Sequence, residues 1–375
     1  MRITIQLYII ILFIVTCPAL FGQGTLAPKY SNEFLSIGVG ARGLGLSNAQ
    51  VASIDDVTAG YWNPAGLAFQ TNKNEIAAMH SEYFAGIAKY DYAGISRQLD
   101  SSSTASFTVI RFGVDDIPNT TELIDAGGNI DYSRITTFSA ADYAFVFSYG
   151  KRAARIQEWI QNKWGTTTGS AQQEGLSWGV NAKLIYRHIG SFAKAWGFGI
   201  DGGMQYKRGP WCAGLMARDI TTSFNAWSYN LSDKVKEVFV STGNEIPSNG
   251  LEITLPRFTL GVGRSFSWKQ WGALVETNAT LTTDGQRNVL VSSSAFNLDP
   301  SIGAEIHYKK QIFLRAGIGN FQRITEFDQS QSMTFQPNIG LGLRIKRLYI
   351  DYALSDIGNV SDVLYSNVFS LRLNW

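Results

Sequence analysis

Cysteine is scarce in this chain. Cys17 and Cys212 are the two present in 375 residues, and Cys17 lies in an N-terminal stretch that reads as a removable leader. The mature chain therefore has no partner for an intrachain disulfide, and its fold rests on its secondary structure. Net charge is also scarce: 32 Lys+Arg against 30 Asp+Glu give +2, too little to create the broad positive field of a nucleic-acid binder. No mature segment approaches the ~18 uninterrupted apolar residues of a spanning helix. The three histidines, His80, His188 and His307, are far apart and lack HxxxH or HxH spacing, so no metal site is expected. No GxSxG elbow or Ser/His/Asp set is visible, so catalysis has no support and no cofactor is implied.

What the chain does have is apolar and aromatic side chains, 45% and 13% of the sequence, and 37 glycines. These are distributed with period two. The last residues alternate strictly, with Phe369, Leu371, Leu373 and Trp375 on one face and Ser370, Arg372 and Asn374 on the other. Trp178, Val180, Ala182 and Leu184 alternate with Gly179, Asn181 and Lys183, Ile185 being the exception. Similar runs recur at 196–207, 302–309 and 338–346. A strand with lipid outside and a polar lumen inside must read this way. A soluble sandwich produces the same alternation, so the connections decide.

The pattern predicts about fourteen strands, near 75–84, 88–97, 103–112, 140–150, 176–188, 195–207, 211–218, 257–266, 271–282, 300–309, 312–320, 335–346, 348–355 and 366–375. Short turns fall at alternate connections, and most of the others are long: 113–139, 219–256, 283–299, 321–334 and 356–365. Short periplasmic turns opposite long extracellular loops are the signature of a transmembrane antiparallel β-barrel, an all-β fold. Two connections depart from the rule, a short one at 85–87 and a long one at 151–175. In the latter, Arg152, Arg155 and Lys163 flank Ile156, Trp159, Ile160 and Trp164 at helical spacing. That reads as an amphipathic helix at the inner rim or a self-packed loop helix.

Upstream, Arg2 followed by the apolar stretch Ile5 to Val15 reads as a secretory signal over residues 1–22. Residues 23–73 do not alternate and are glycine-rich, which fits a plug inside a barrel of this girth; the barrel then occupies 74–375. Gly38-Val-Gly40-Ala-Arg-Gly43 matches GxGxxG, but no βαβ unit surrounds it and Asp55 and Asp56 follow too early for a ribose carboxylate. These glycines are expected to let backbone pack tightly against the wall. On the inward faces, Glu305 and His307 with Arg315 and Arg344 form a candidate polar lumen site, or simply satisfied wall charges. Asn63-Pro64-Ala65 is the most specific motif, because Asn-Pro breaks a helix and fixes a turn.

The stretch Phe34 to Ala49, then Ala52-Ser-Ile-Asp-Asp56, Ala59 and Trp62-Asn-Pro-Ala-Gly-Leu-Ala68, resembles the start of PorV/PorQ-family outer-membrane proteins. The resemblance continues through Asp351-Tyr-Ala-Leu-Ser-Asp-Ile-Gly358 to the closing strand. It implies kinship with the FadL transporters, which share a fourteen-strand barrel and a plug carrying Asn-Pro-Ala beside a wall gap. Asn63, Pro64 and Ala65 match that motif, and Gly113, Asp115, Asp116 and Pro118 are expected to interrupt pairing just beyond the third strand. Two functions follow from the resemblance. The first is an accessory barrel of type IX secretion, binding a translocon subunit or secreted cargo signal domains through loops 113–139 and 219–256. The second is a passive channel for a hydrophobic small molecule or fatty acid. The inward charges Lys183, Arg187, Asp201, Glu276, Glu305, Arg315 and Arg344 tilt the reading toward secretion. Outer-membrane lipid is the expected surrounding, with no nucleic-acid partner.

Overall fold

Alternation along each strand sends one set of side chains to lipid and the other to the lumen, and hydrogen bonding between neighbours bends the whole into a closed wall. The computed structural model describes residues 31–124, 127–153, 174–325, 329–355 and 366–375. The expected signal, residues 23–30, the rim helix around Arg155, Trp159 and Trp164, and loop 356–365 lie outside the described residues.

The strands are β1 (Asn74–Tyr83), β2 (Ala88–Gln98), β3 (Ser103–Asn119), β4 (Thr136–Arg152), β5 (Gly175–Ile189), β6 (Ala193–Arg208), β7 (Trp211–Arg218), β8 (Ser223–Tyr229), β9 (Gly250–Thr254), β10 (Arg257–Trp268), β11 (Trp271–Thr282), β12 (Val291–Ser292), β13 (Asn297–Tyr308), β14 (Ile312–Thr325), β15 (Gln331–Ile345), β16 (Leu348–Ser355) and β17 (Ser366–Asn374). All form one sheet, and β1 pairs antiparallel with β17 from Glu75↔Asn374 to Glu82↔Asn367, which closes the barrel. The seventeen segments make fourteen wall strands. β7 and β8 both pair with β6 and continue one strand across a break at 219–222. β9 and β10 pair with β8 and β7 and continue the next across Leu255 and Pro256. β12 is a short flap on β13.

The outward faces carry the apolar belt, with Leu260, Leu314, Ile339, Leu341, Phe369 and Leu371 exposed. Trp268, Trp271, Tyr308 and Trp375 ring the end bearing the short turns, as amphipathic rings do at a membrane interface. In keeping with the lipid-facing pattern, Arg372 points inward, its Nη1 3.1 Å from the Asp56 carboxylate.

The wall departs from expectation in four places. β3 and β4 each run for 17 residues, so the loop expected at 113–139 shrinks. Pairing shifts register between Val114 and Ile117, where Asp116 takes φ 57°, and then resumes with Pro118 opposite Thr137. The Gly113 to Pro118 stretch is thus a bulge within a long strand, because the extra residue is absorbed locally. The connection from Ile189 to Ala193 is a tight turn, a third exception to the loop rule. Much of the expected 219–256 loop is wall: β8 and β9, with an exposed helix, Asp233–Ser241, between them. Ile185, which broke the outward apolar pattern, is fully buried on the inner face, so part of the lumen is apolar.

Residues 31–73 run through the interior as short turns: Glu33–Leu35, Ala41–Gly45, Ala59–Trp62 and Pro64–Phe69. The segment reaches the wall where wall glycines leave room. A Cβ on Gly179 would collide with the Pro64 and Ala65 backbone, and one on Gly203 with the Asn63 side chain. The GxGxxG stretch has, among the described residues, no strand before it, and the helix that begins inside it, Ala41–Gly45, is only five residues long. Its Gly38 and Gly40 hold φ 107° and 79°, backbone that favours glycine.

Candidate functional site

Asn63 is the pivot of the interior segment. Pro64 sets the first turn of the short 3-10 helix Pro64–Phe69, and the Asn63 side-chain oxygen caps it by accepting from the Ala65 N–H at 3.2 Å. Its amide nitrogen donates to Val51 O at 3.0 Å and to Met204 O of β6 at 3.1 Å. One fully buried side chain therefore caps a turn, ties two stretches of the plug and pins both to the wall. Pro64 and Ala65 contribute backbone: their carbonyl region sits in the gap left by Gly150 and Gly179, and Ser177 Oγ donates to Ala65 O at 2.9 Å.

Charged contacts fix the rest of the plug. Arg42 Nε lies 3.1 Å from Glu305 Oε2, and Arg315 Nε lies 2.7 Å from the same oxygen. Arg315 Nη1 reaches Asp351 at 2.6 Å. Glu276 accepts from the Ala52 N–H at 2.7 Å and the Ser53 N–H at 3.0 Å, and Glu75 accepts from Val57 N–H at 2.9 Å. Burial alone would push the Asp56 carboxyl up, but the Arg372 and Arg42 guanidiniums outweigh it and hold the group below the usual carboxylate range. For Arg42, burial works against the charge while Glu305, Asp56 and Asp55 raise its pKa above the ordinary arginine range. Paired buried charges of this kind cost desolvation energy, so they specify position more than they add stability.

Of the four residues expected to form a polar lumen site, the structure brings together Glu305 and Arg315. His307 faces inward nearer the short-turn end, its ring 5.7 Å from Phe313. Arg344 stacks 5.0 Å over Tyr349 and donates to Lys346 O at the turn. Both lie on the same strand faces as the pair, but toward the rim. Period two fixed their side of the wall and left their height to the register. The two residues that complete the cluster, Arg42 and Asp351, belong to the plug and to β16, and no local pattern linked them to Glu305.

A second buried cluster sits at the break in the wall. Lys183 Nζ lies 2.7 Å from Asp201 and 2.6 Å from Asp219; the Asp219 N–H donates to Asp201 at 2.9 Å. Ile220 N–H still reaches Ile200 O across the break at 2.9 Å. The inward charges at 183 and 201 thus hold a kink in the wall and are not free to line a polar channel.

Above the plug the lumen has two unlike sides. One is a cavity of about 520 Å³ whose wall lining is largely hydroxyl and amide, including Thr259, Asn278, Gln336 and Asn338, with Arg218, Arg257 and Arg287. Arg218 donates to Leu35 O at 2.9 Å and Tyr61 O at 3.1 Å and lies 4.3 Å over the Tyr61 ring. The other side is apolar. Tyr83, Tyr90, Tyr92, Ile110, Val146 and Ile185 of β1–β5 pack against Phe34, Val39, Tyr61 and Trp62 of the plug. Among the described residues the Tyr83, Tyr90 and Tyr92 hydroxyls are buried with no partner in good hydrogen-bond geometry, Ser81 and Thr108 lying near the first and last. Such groups cost about 1–3 kcal/mol each in a dry interior. Tyr61 and Trp62, packed edge to face at 4.8 Å, divide the two sides. Tyr90 and Tyr92 alternate with Lys89 and Asp91, so an apolar-out, polar-in rule misses both their inward placement and their convergence. Among the described residues no group of three or more His, Cys, Asp or Glu is placed to hold a metal.

No protein-family model matches the chain, and no curated protein matches it in sequence. Solved structures do match in fold. The Pseudomonas putida toluene transporter TodX is 13% identical, with a TM-score of 0.51, over 89% of this chain and 96% of that one. The CymD monoaromatic hydrocarbon channel is 10% identical, with a TM-score of 0.52, over 90% and 98%. A Pseudomonas aeruginosa FadL homologue is 11% identical, with a TM-score of 0.50, over 89% and 97%. At such identities the likeness is one of fold: the chain is a closed fourteen-strand antiparallel barrel of the kind these transporters and channels adopt.

Proposed function

We propose that this protein is an outer-membrane barrel through which hydrophobic small molecules pass passively, with residues 23–73 as its plug. The observation that carries this reading is the apolar side of the lumen. Tyr90, Ile110 and Ile185 pack beside Trp62 and help hold the plug to the wall; a hydrophobic solute entering along this seam would in addition gain roughly 25 cal/mol for each Å² it removes from water. The fold likeness to a toluene transporter and a monoaromatic hydrocarbon channel supports the same reading. Of the inward charges that favoured secretion in the sequence, Lys183, Asp201, Glu276, Glu305 and Arg315 are engaged with one another, with Asp219 or with the plug, Arg187 pairs with Asp142 and Glu252, and Arg344 lies at the rim, so they do not argue for a polar conduit. Asn63, Pro64 and Ala65 act in this reading as the anchor that sets where the plug stands.

The test is uptake of a monoaromatic hydrocarbon by cells carrying the chain against cells lacking it. Ile110→Asn, which places an amide in the apolar side, lowers uptake while leaving heat-modifiable migration intact. Equal uptake with and without the protein would defeat the proposal. The second reading, a type IX secretion accessory binding a translocon subunit or cargo signal domains, has one observation in its favour: Ile124, Ile130, Tyr132 and Val240 are exposed on the long-loop end. Loss of cargo export with unchanged hydrocarbon uptake would replace the first reading with it.

A further inference from the structure

We propose that the outer face of β4, β5, β6 and β8 holds the phosphorylated sugar headgroup of an outer-leaflet glycolipid. Register places two rows of side chains across these strands. Tyr143, Tyr186 and Trp196 stand opposite one another in the first, and His188, Lys194 and Ser228 in the second. Both rows face away from the lumen, because their neighbours Asp142, Ile185, Arg187 and Ala195 face inward and are covered. Every residue of the two rows except Trp196 lines a groove of about 500 Å³, within the ~300–1,000 Å³ range of small-ligand sites.

The groove differs from an ordinary aromatic belt in three ways. Its rings include an imidazole, His188, which lies nearly parallel to Tyr143 at 6.2 Å and 19°, beside a tilted pair, Tyr186 and Trp196, at 4.6 Å and 42°. Its upper end is closed by the tight turn after β5, where Gly190 takes φ 50° and donates to Ser139 O at 2.8 Å. Its polar lining pairs the cationic Lys194 and the titratable His188 with Ser191, Ser228 and Asn230, and no Asp or Glu lines it among the described residues.

Height selects the occupant. Along β5 the lipid-facing residues Trp178, Val180 and Leu184 lie below Tyr186 and His188. His188 lies ten positions beyond Trp178, about 33 Å along the strand and, at the ~35–45° tilt of barrel strands, about 25 Å along the membrane normal, the height of the apolar band. The groove therefore lies at headgroup level on the long-loop side. A sugar ring presents C–H faces to the aromatic row and hydroxyls to Ser and Asn, and a phosphate answers Lys194. The inference rests on the outer-membrane reading above for the identity of the leaflet; binding in micelles is independent of transport, so failed uptake would leave the result below unchanged.

The experiment is native mass spectrometry of the folded barrel in detergent with three probes. These are a bisphosphorylated acylated glucosamine disaccharide, its dephosphorylated form, and phosphatidylglycerol. The expected result is retention of the phosphorylated glycolipid over both others. Lys194→Gln should weaken it about tenfold, Tyr186→Ala should weaken both glycolipids, and Lys309→Gln at the opposite rim should change nothing. Heat-modifiable migration confirms that each variant is folded. Equal binding by wild type and Lys194→Gln, or phosphatidylglycerol held as tightly as the phosphorylated glycolipid, would overturn the proposal.

Discussion

Replacing Asn63 separates two roles that one side chain combines. In Asn63→Ala the Ala65 N–H loses its cap, which costs about 0.5–2 kcal/mol. Met204 O, in a part-buried contact, loses its 3.1 Å donor, which costs about 1–3 kcal/mol where water does not replace it. Val51 O is partly spared, since Gln205 Nε2 also donates to it at 3.3 Å. The plug around Pro64–Phe69 should therefore be destabilised by about 2–5 kcal/mol. In Asn63→Asp the cap acceptor survives, but both donor bonds become contacts between a carboxylate and a carbonyl, so this variant should be at least as damaging. Amide hydrogen exchange at Ala65 and Gly66 in detergent measures the effect directly. A loss of that size speeds local opening by tens to thousands of times, at about 1.4 kcal/mol per tenfold. If Asn63→Asp exchanged like the wild type, the residue would be a helix cap and nothing more, and the pin between plug and wall would be refuted.

Gly179→Val should push Pro64 off the wall, at a cost of about 1–3 kcal/mol for overpacking, and raise single-channel conductance in planar bilayers as the plug shifts. Leu371→Arg puts a charge on the lipid face and should cost about 2–4 kcal/mol if it lies near the midplane. A smaller folded fraction on heat-modified gels would show it. Burial pushes the Glu33 carboxyl up, yet Arg257 and Arg287 outweigh burial and hold it below the ordinary range. A carboxyl depressed in the folded state stabilises above its unfolded pKa and loses that contribution as pH falls through the folded pKa. Exchange at Leu35 and Ser36 should thus accelerate in acid, and Glu33→Gln should remove the dependence.

The sequence made the wall legible because lipid enforces strict alternation. It read less of β3, β4 and the β8–β9 pair, which extend past the apolar belt; there, water on the outer face relaxes the pattern. The loop expected at 219–256 hid wall strands because Asp219 and Thr222, both at positive φ, interrupt the run without ending the strand. The lumen was legible one residue at a time. Period two assigned Glu305, Arg315, His307 and Arg344 to the inner face, but which of them meet depends on the stagger between strands and on Arg42, a residue 263 positions from Glu305. Ile185 was the visible clue to an apolar lumen, as the one branched apolar side chain among Gly179, Asn181, Lys183 and Arg187 on the inner face of β5.

The seam between the first and last strands also sets an order of events. Asn74 and Trp375 exchange both backbone hydrogen bonds at 3.0 Å, so the wall cannot be completed until β17 has been made and delivered. Residues 31–73 directly precede the first strand and already fit gaps too narrow for a Cβ. They must stand on the side that becomes the interior before the two ends meet, since threading them in afterwards would require the same contacts to open. Assembly is thus an act of wrapping. A chain that stops one strand short is left with two unpaired edges and an uncovered cargo of its own, and its expected fate is aggregation or proteolysis, not a narrower barrel.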